Sequence, residues 1–167
     1  MSFVGYRDFD QQTEEHQFKV LDFTDDPDDF TVFLTKVRAR GGADAPEDVV
    51  GGLEKAMQQG WRKGKSTTKV AVMVADCPCH GNKYHNYHRH GDTYPDGDPE
   101  GRVMEDYITK LAKLEVDLYA IKITNDTDKM YTILSECYYN TRGKNIKISK
   151  LGHSTNEFAG FVSSSAT

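Results

Sequence analysis

Between residues 40 and 61 the chain reads RGGADAPEDVVGGLEKAMQQGW, and Asp44, Glu47 and Asp48 crowd the turn that opens a helical pattern. Carboxylates placed this way do one of two things. They stabilise the helix start, where free N–H groups and the helix dipole favour anions by about 0.3–1 kcal/mol each. Otherwise they share a cation, which becomes the largest local charge and cancels their repulsion. Hard oxygen donors suit Mg2+, Ca2+ or Mn2+ rather than zinc or copper. Both readings stand at this point.

A second cluster lies in CPCHGNKYHNYHRH, where Cys77, Cys79, His80, His85, His88 and His90 fall within one short loop. Cys79, His80 and two later histidines supply the donor types of a zinc site. Their spacing is not that of a finger, and no Cys-x-x-Cys knuckle exists, so a solvated loop is the plainer reading. Cys77 or Cys79 beside His80 also supplies the atoms of a nucleophile and base, but nothing marks an oxyanion hole or a substrate pocket. A Gly-rich phosphate loop followed by a strand lysine is missing, and the glycines around Asp44 border acids that repel phosphate. Kinase activity is not expected of this chain. A metal-dependent enzyme or a zinc protein built on the Cys77–His90 loop remains the alternative.

These residues are positioned by alternating elements. Short strands are expected over 2–7 and 17–23, with a polar loop between them. Helices are expected over 25–39, where Phe30, Phe33, Leu34 and Val37 recur at helical spacing, and after the acidic turn, where Val49, Val50, Leu53, Ala56 and Met57 do the same. The nearly unbroken run TKVAVMVAD (68–76) reads as a strand covered on both faces. A helix (102–114), a strand (117–124), a helix (126–139), an edge strand (145–151) and a last helix (154–165) follow. This alternation predicts one α/β domain over 1–167, an open, mostly parallel, doubly wound sheet with helices on both faces. In such sheets ligands sit beyond the carboxyl ends of the strands. Asp8 and Asp76 each close a strand there, and the acidic turn ends at the same rim. Trp61, between a helix and a strand, is expected to pack at a sheet edge.

A chain of 167 residues can bury roughly 70% of its unfolded surface. The formal net charge of −5 opposes broad binding to nucleic acid or anionic membranes. No run approaches the length of a membrane span, and the N-terminus lacks a leader pattern. Three cysteines make no disulfide framework, and two of them sit two residues apart, too close in sequence to bridge well. A reducing, cytoplasmic setting is expected.

In order along the chain, VGYRDFD, FKVLDFTDD, GGADAPEDVVGGLEKAMQQGWR, KVAVMVADCPCHG, YPDGDPEG and ITNDTDKM resemble the von Willebrand factor A (VWA) domain found beside alpha-type protein kinases. The likeness runs from about residue 3 to 162. DAPED through WR also resembles the I-like domain of integrin β subunits. The resemblance implies the doubly wound fold and a metal-ion-dependent adhesion site, with Mg2+ or Ca2+ as its ion. It assigns Glu47 and Asp76 to that site. Asp8, Asp44, the Pro46 carbonyl and Glu47 fall to a neighbouring cation site. A partner's carboxylate fills the open position on the metal. The family's first strand, which ends in Asp-x-Ser-x-Ser, has no counterpart here, so the central strand is expected to be missing and the adhesion site degenerate. The resemblance thus implies a protein-interaction module, a subunit of a larger assembly, whose partner donates a strand across the gap or a carboxylate to the rim.

Overall fold

The computed structural model describes residues 1–11, 13–64, 67–88 and 91–151. The helix expected over 154–165 and His90 lie outside them. Along the chain come β1 (Phe3–Tyr6), α1 (Glu14–Gln17), β2 (Phe18–Leu21), α2 (Pro27–Lys36), α3 (Val49–Gln58), β3 (Lys69–Ala75), α4 (Met104–Lys113), β4 (Val116–Lys122), α5 (Asp128–Arg142) and β5 (Lys147–Lys150). The expected elements over the described residues are present, with one addition. The segment read as a polar loop forms the short α1, because the Thr13 hydroxyl accepts from the His16 amide and closes a turn.

The strands form two sheets instead of one. β1 pairs antiparallel with β2, while β3, β4 and β5 make a parallel sheet in that order. Two crossovers of the β–α–β type, through α4 and α5, enforce the parallel direction. The two sheets meet through a side chain. The Tyr6 hydroxyl donates to the Val74 carbonyl at 3.4 Å. β1 and β3 make no backbone pairing with each other. The Ala75 carbonyl accepts from Ile123 on the β4 side, so alternation turns the backbone polar groups of Val70, Val72 and Val74 toward the other edge, which no strand among the described residues pairs.

One hydrophobic core joins the helices to the parallel sheet. Val49, Val50 and Leu53 of α3, Met104, Ile108 and Leu111 of α4, and Met130, Leu134 and Tyr138 of α5 close on Val116, Leu118 and Ala120 of β4. Alternation places Ala71 and Met73 of β3 against the same core. The expectation that β3 is covered on both faces is not met by the described residues, since Val74 on its other face is 38% exposed. Trp61 packs edge-on to Phe23, beyond β2, at 5.2 Å, with its indole N–H on the Ala56 carbonyl of α3 at 2.8 Å.

α3 starts where two glycines allow it to. A Cβ on Gly51 would lie 2.2 Å from Asp48 Oδ2, and one on Gly52 would lie 2.6 Å from the Tyr6 ring. The glycine pair therefore lets the helix entrance close on β1 and on the Asp48 carboxylate.

Candidate functional site

The turn before α3, the residues after β1 and the loop after β3 meet at the carboxyl ends of the strands. Glu47 bridges to Cys79 in a parallel backbone contact, with the Glu47 amide on the Pro78 carbonyl at 3.0 Å. Thr124, beyond β4, donates its hydroxyl to the Asp76 carbonyl. Loops from four parts of the sequence are thereby tied into one rim.

The acidic turn divides its labour. Asp48 is the cap: its Oδ1 accepts the Gly51 amide at 2.6 Å and the Arg102 guanidinium at 2.8 Å, and its Oδ2 accepts Gln17 at 2.8 Å. Asp44 caps nothing. Its Oδ2 accepts the Thr93 amide at 2.6 Å, and its Oδ1 has no exposed surface and no hydrogen-bond partner among the described residues.

Glu47 lies in the field of Asp8, Asp76 and Asp10. Burial first, and then these three charges, push its carboxyl up to about 7. Asp76 itself is exposed, whereas Pro46 is buried. A carboxylate raised in the native state binds a proton that the unfolded chain has already released. Its contribution is therefore lost as pH climbs from 4.5 through about 7. Glu47→Gln raises the unfolding free energy at pH 8 by about 1–2 kcal/mol, discounted for partial exposure, and leaves it nearly unchanged at pH 5. Urea midpoints of the two proteins at both pH values check this.

Behind the rim lies a buried relay. His80 Nε2 bonds Asp8 Oδ1 at 2.7 Å, and its Nδ1 bonds Asp92 Oδ1 at 2.6 Å. His85 Nε2 donates to Asp92 Oδ2 at 2.8 Å, and the amides of Gly81 and Tyr94 add bonds of 2.7 and 2.8 Å. Phe9 and Tyr94 enclose the His80 ring at centroid distances of 5.6 and 5.0 Å. Burial by itself lowers the His80 pKa, but hydrogen bonds and charge from Asp8 and Asp92 outweigh it and carry it up to about 9. For Asp92, burial raises the pKa, and the donors from His80, Gly81, His85 and Tyr94 outweigh it and hold the carboxyl below its usual range.

The five residues expected at a metal are thus sorted. Single donor atoms of Asp8 and Asp44 lie within 4.8 Å of each other and of His80, whereas Glu47 and Asp76 are not in that group. His80 brings an imidazole nitrogen to Asp8 and Asp44, a donor that the all-oxygen reading of the turn did not include. His80 carried a signal in the sequence, though as a loop ligand; Asp92 and Arg102 carried none, since a loop acid and a loop arginine are ordinary.

The cysteine–histidine loop does not assemble as a zinc knuckle in the described residues. The Cys79 thiol is buried against the Met104 sulfur at 3.9 Å, while His80 and His85 share Asp92. Burial, then the charges of Asp76 and Glu47, push the Cys77 thiol up to about 11, which disfavours a thiolate.

No protein-family model matches the chain. A stretch of 117 residues, 70% of the chain, is 37% identical to alpha-protein kinase vwkA of Dictyostelium discoideum. It corresponds to 18% of that kinase, so the chain spans about a fifth of the relative's length. No helix among the described residues is long and apolar enough to cross a membrane.

Proposed function

We propose that the chain is a VWA-type protein-interaction module, with the doubly wound fold of that family, acting in the cytoplasm as a subunit of a larger assembly. The observation that carries this reading is the edge of β3 that pairs with no strand among the described residues, where backbone groups of Val70, Val72 and Val74 face the side that Tyr6 reaches. An apolar strand from a partner would pair with that edge and cover its half-exposed valines. The similarity to part of an alpha-kinase supports a module that accompanies catalytic domains.

At the rim, Glu47 and Asp76 are the residues of a degenerate adhesion site. A Mg2+ or Ca2+ there would offer an open position to a partner's carboxylate. The pressure on Glu47 from neighbouring acids supports a place for positive charge on this side of the rim. No nucleic-acid partner is invoked.

Co-purification with the tagged chain, followed by hydrogen exchange on the isolated complex, tests the reading. The partner slows exchange at Val70, Val72 and Val74, and joint replacement of Glu47 and Asp76 by alanine weakens the complex about tenfold or more, roughly 1.4 kcal/mol, while the double variant still unfolds cooperatively at no lower temperature than the parent. Protection confined to other surfaces, together with full binding by the double variant, refutes it.

A further inference from the structure

We propose that Asp8, Asp44 and His80 form a binding site for a first-row divalent transition ion, with His80 Nε2 as the donor that selects this class over Ca2+ and Mg2+. It keeps Asp8 and Asp44 of the neighbouring cation site that the resemblance implies, puts His80 in place of Glu47 and the Pro46 carbonyl, and does not rest on the docking reading.

Three segments far apart in sequence each bring one donor atom, and the three atoms lie within 4.8 Å of one another. Two of the residues are almost fully enclosed, Asp8 at 3% exposure and His80 at 2%. Asp44 adds an independent sign. Its Oδ1 is cut off from solvent and bonded by nothing in the described residues, while Oδ2 is pinned by Thr93. A desolvated carboxylate oxygen without a partner costs free energy that a bound cation would return.

The second sign is behind the imidazole. Ligating histidines nearly always give their other ring N–H to a carboxylate, which sets the tautomer and aims the free nitrogen. Asp92 takes the Nδ1–H of His80 in this way, and it is itself held by two backbone amides and His85. So many donors on one acid hold the ring rigidly, with Nε2 turned toward Asp8. The proton shared there with Asp8 is the one an ion displaces, so one proton leaves as the ion enters.

Donor chemistry names the ion. Two carboxylates and an imidazole are too few oxygens for Ca2+, and Mg2+ gives up its waters reluctantly. Mn2+, Fe2+, Co2+ and Zn2+ accept mixed nitrogen and oxygen sets, with affinity rising along the series toward Zn2+, and water completes their coordination.

Co2+ titration of the full chain, read by visible absorption, tests the assignment. One equivalent binds with a nitrogen–oxygen spectrum, Zn2+ displaces it, and Ca2+ or Mg2+ in about hundredfold excess does not. His80→Gln and Asp44→Asn abolish the spectrum, and Asp92→Asn weakens binding about 10–100-fold. Because Asp44 is partly exposed, its variant keeps the test open if the His80 variant fails to fold. The proposal falls if no Co2+ binds or if Ca2+ competes equally. It falls also if thiolate charge-transfer bands place the ion at the cysteines, or if a folded Asp44→Asn binds like the parent. None of these outcomes touches strand pairing at β3.

Discussion

Arg102→Met lowers the unfolding free energy by about 3–5 kcal/mol, because it leaves acids behind a helix entrance without their cation. The guanidinium bonds Asp48 and Asp98 at 2.8 Å each and reaches Glu54 and Glu100 at 3.4 Å. The Asp48 and Asp98 side chains are 0% and 4% exposed, so water cannot take over the lost bonds. Asp48 is also the cap of α3, and that helix carries Val49, Val50 and Leu53 into the core. For a chain of this size the loss amounts to about 10 °C in melting temperature. A double-mutant cycle with Asp98→Asn separates pairing from packing. The double variant recovers part of the loss, since one of the stranded charges is removed. A change of less than about 1 kcal/mol for Arg102→Met would show that the entrance of α3 is held by packing alone.

Asp92→Asn comes second, with an expected loss of about 3 kcal/mol at neutral pH. The carboxylate accepts from four groups, and an amide offers one oxygen in place of two. Its other face turns an N–H₂ toward donors, so at least one buried bond is broken and one donor opposes another. The variant also alters pH dependence. A histidine whose pKa rises from 6.5 to about 9 on folding contributes stability that is full below 6.5 and is lost as pH passes through about 9. Removing one of the two carboxylates beside it shrinks that decline. Melting temperatures between pH 6 and pH 9.5 fall steeply in the parent and less in Asp92→Asn. Equal slopes would mean that Asp8 alone sustains the imidazolium.

Several levels of this architecture were open to a reading of the residues alone. Met104, Ile108 and Leu111 recur at helical spacing, and the valines of 70–74 form a run, so α4 and β3 were legible before any contact was known. The convergence of loops at the carboxyl ends follows from parallel strands joined by helices. The neighbour of a strand edge was not legible, since pairing depends on a partner chosen over long sequence distances. The expected single sheet accordingly became two, linked by Tyr6.

The acidic turn marks the boundary most clearly. Its sequence allowed a cap or a cation, and both are local possibilities for any carboxylate ahead of a helix. Asp48 became the cap because Gly51, three residues on, leaves room for its side chain and because Arg102 approaches from another loop. Asp44 was drawn toward Thr93 and His80, away from the helix it precedes. Hydrophobic periodicity is written along the chain, so the elements could be read from it. The role of each charge depends on distances to groups dozens of residues away, and only the folded chain sets those distances.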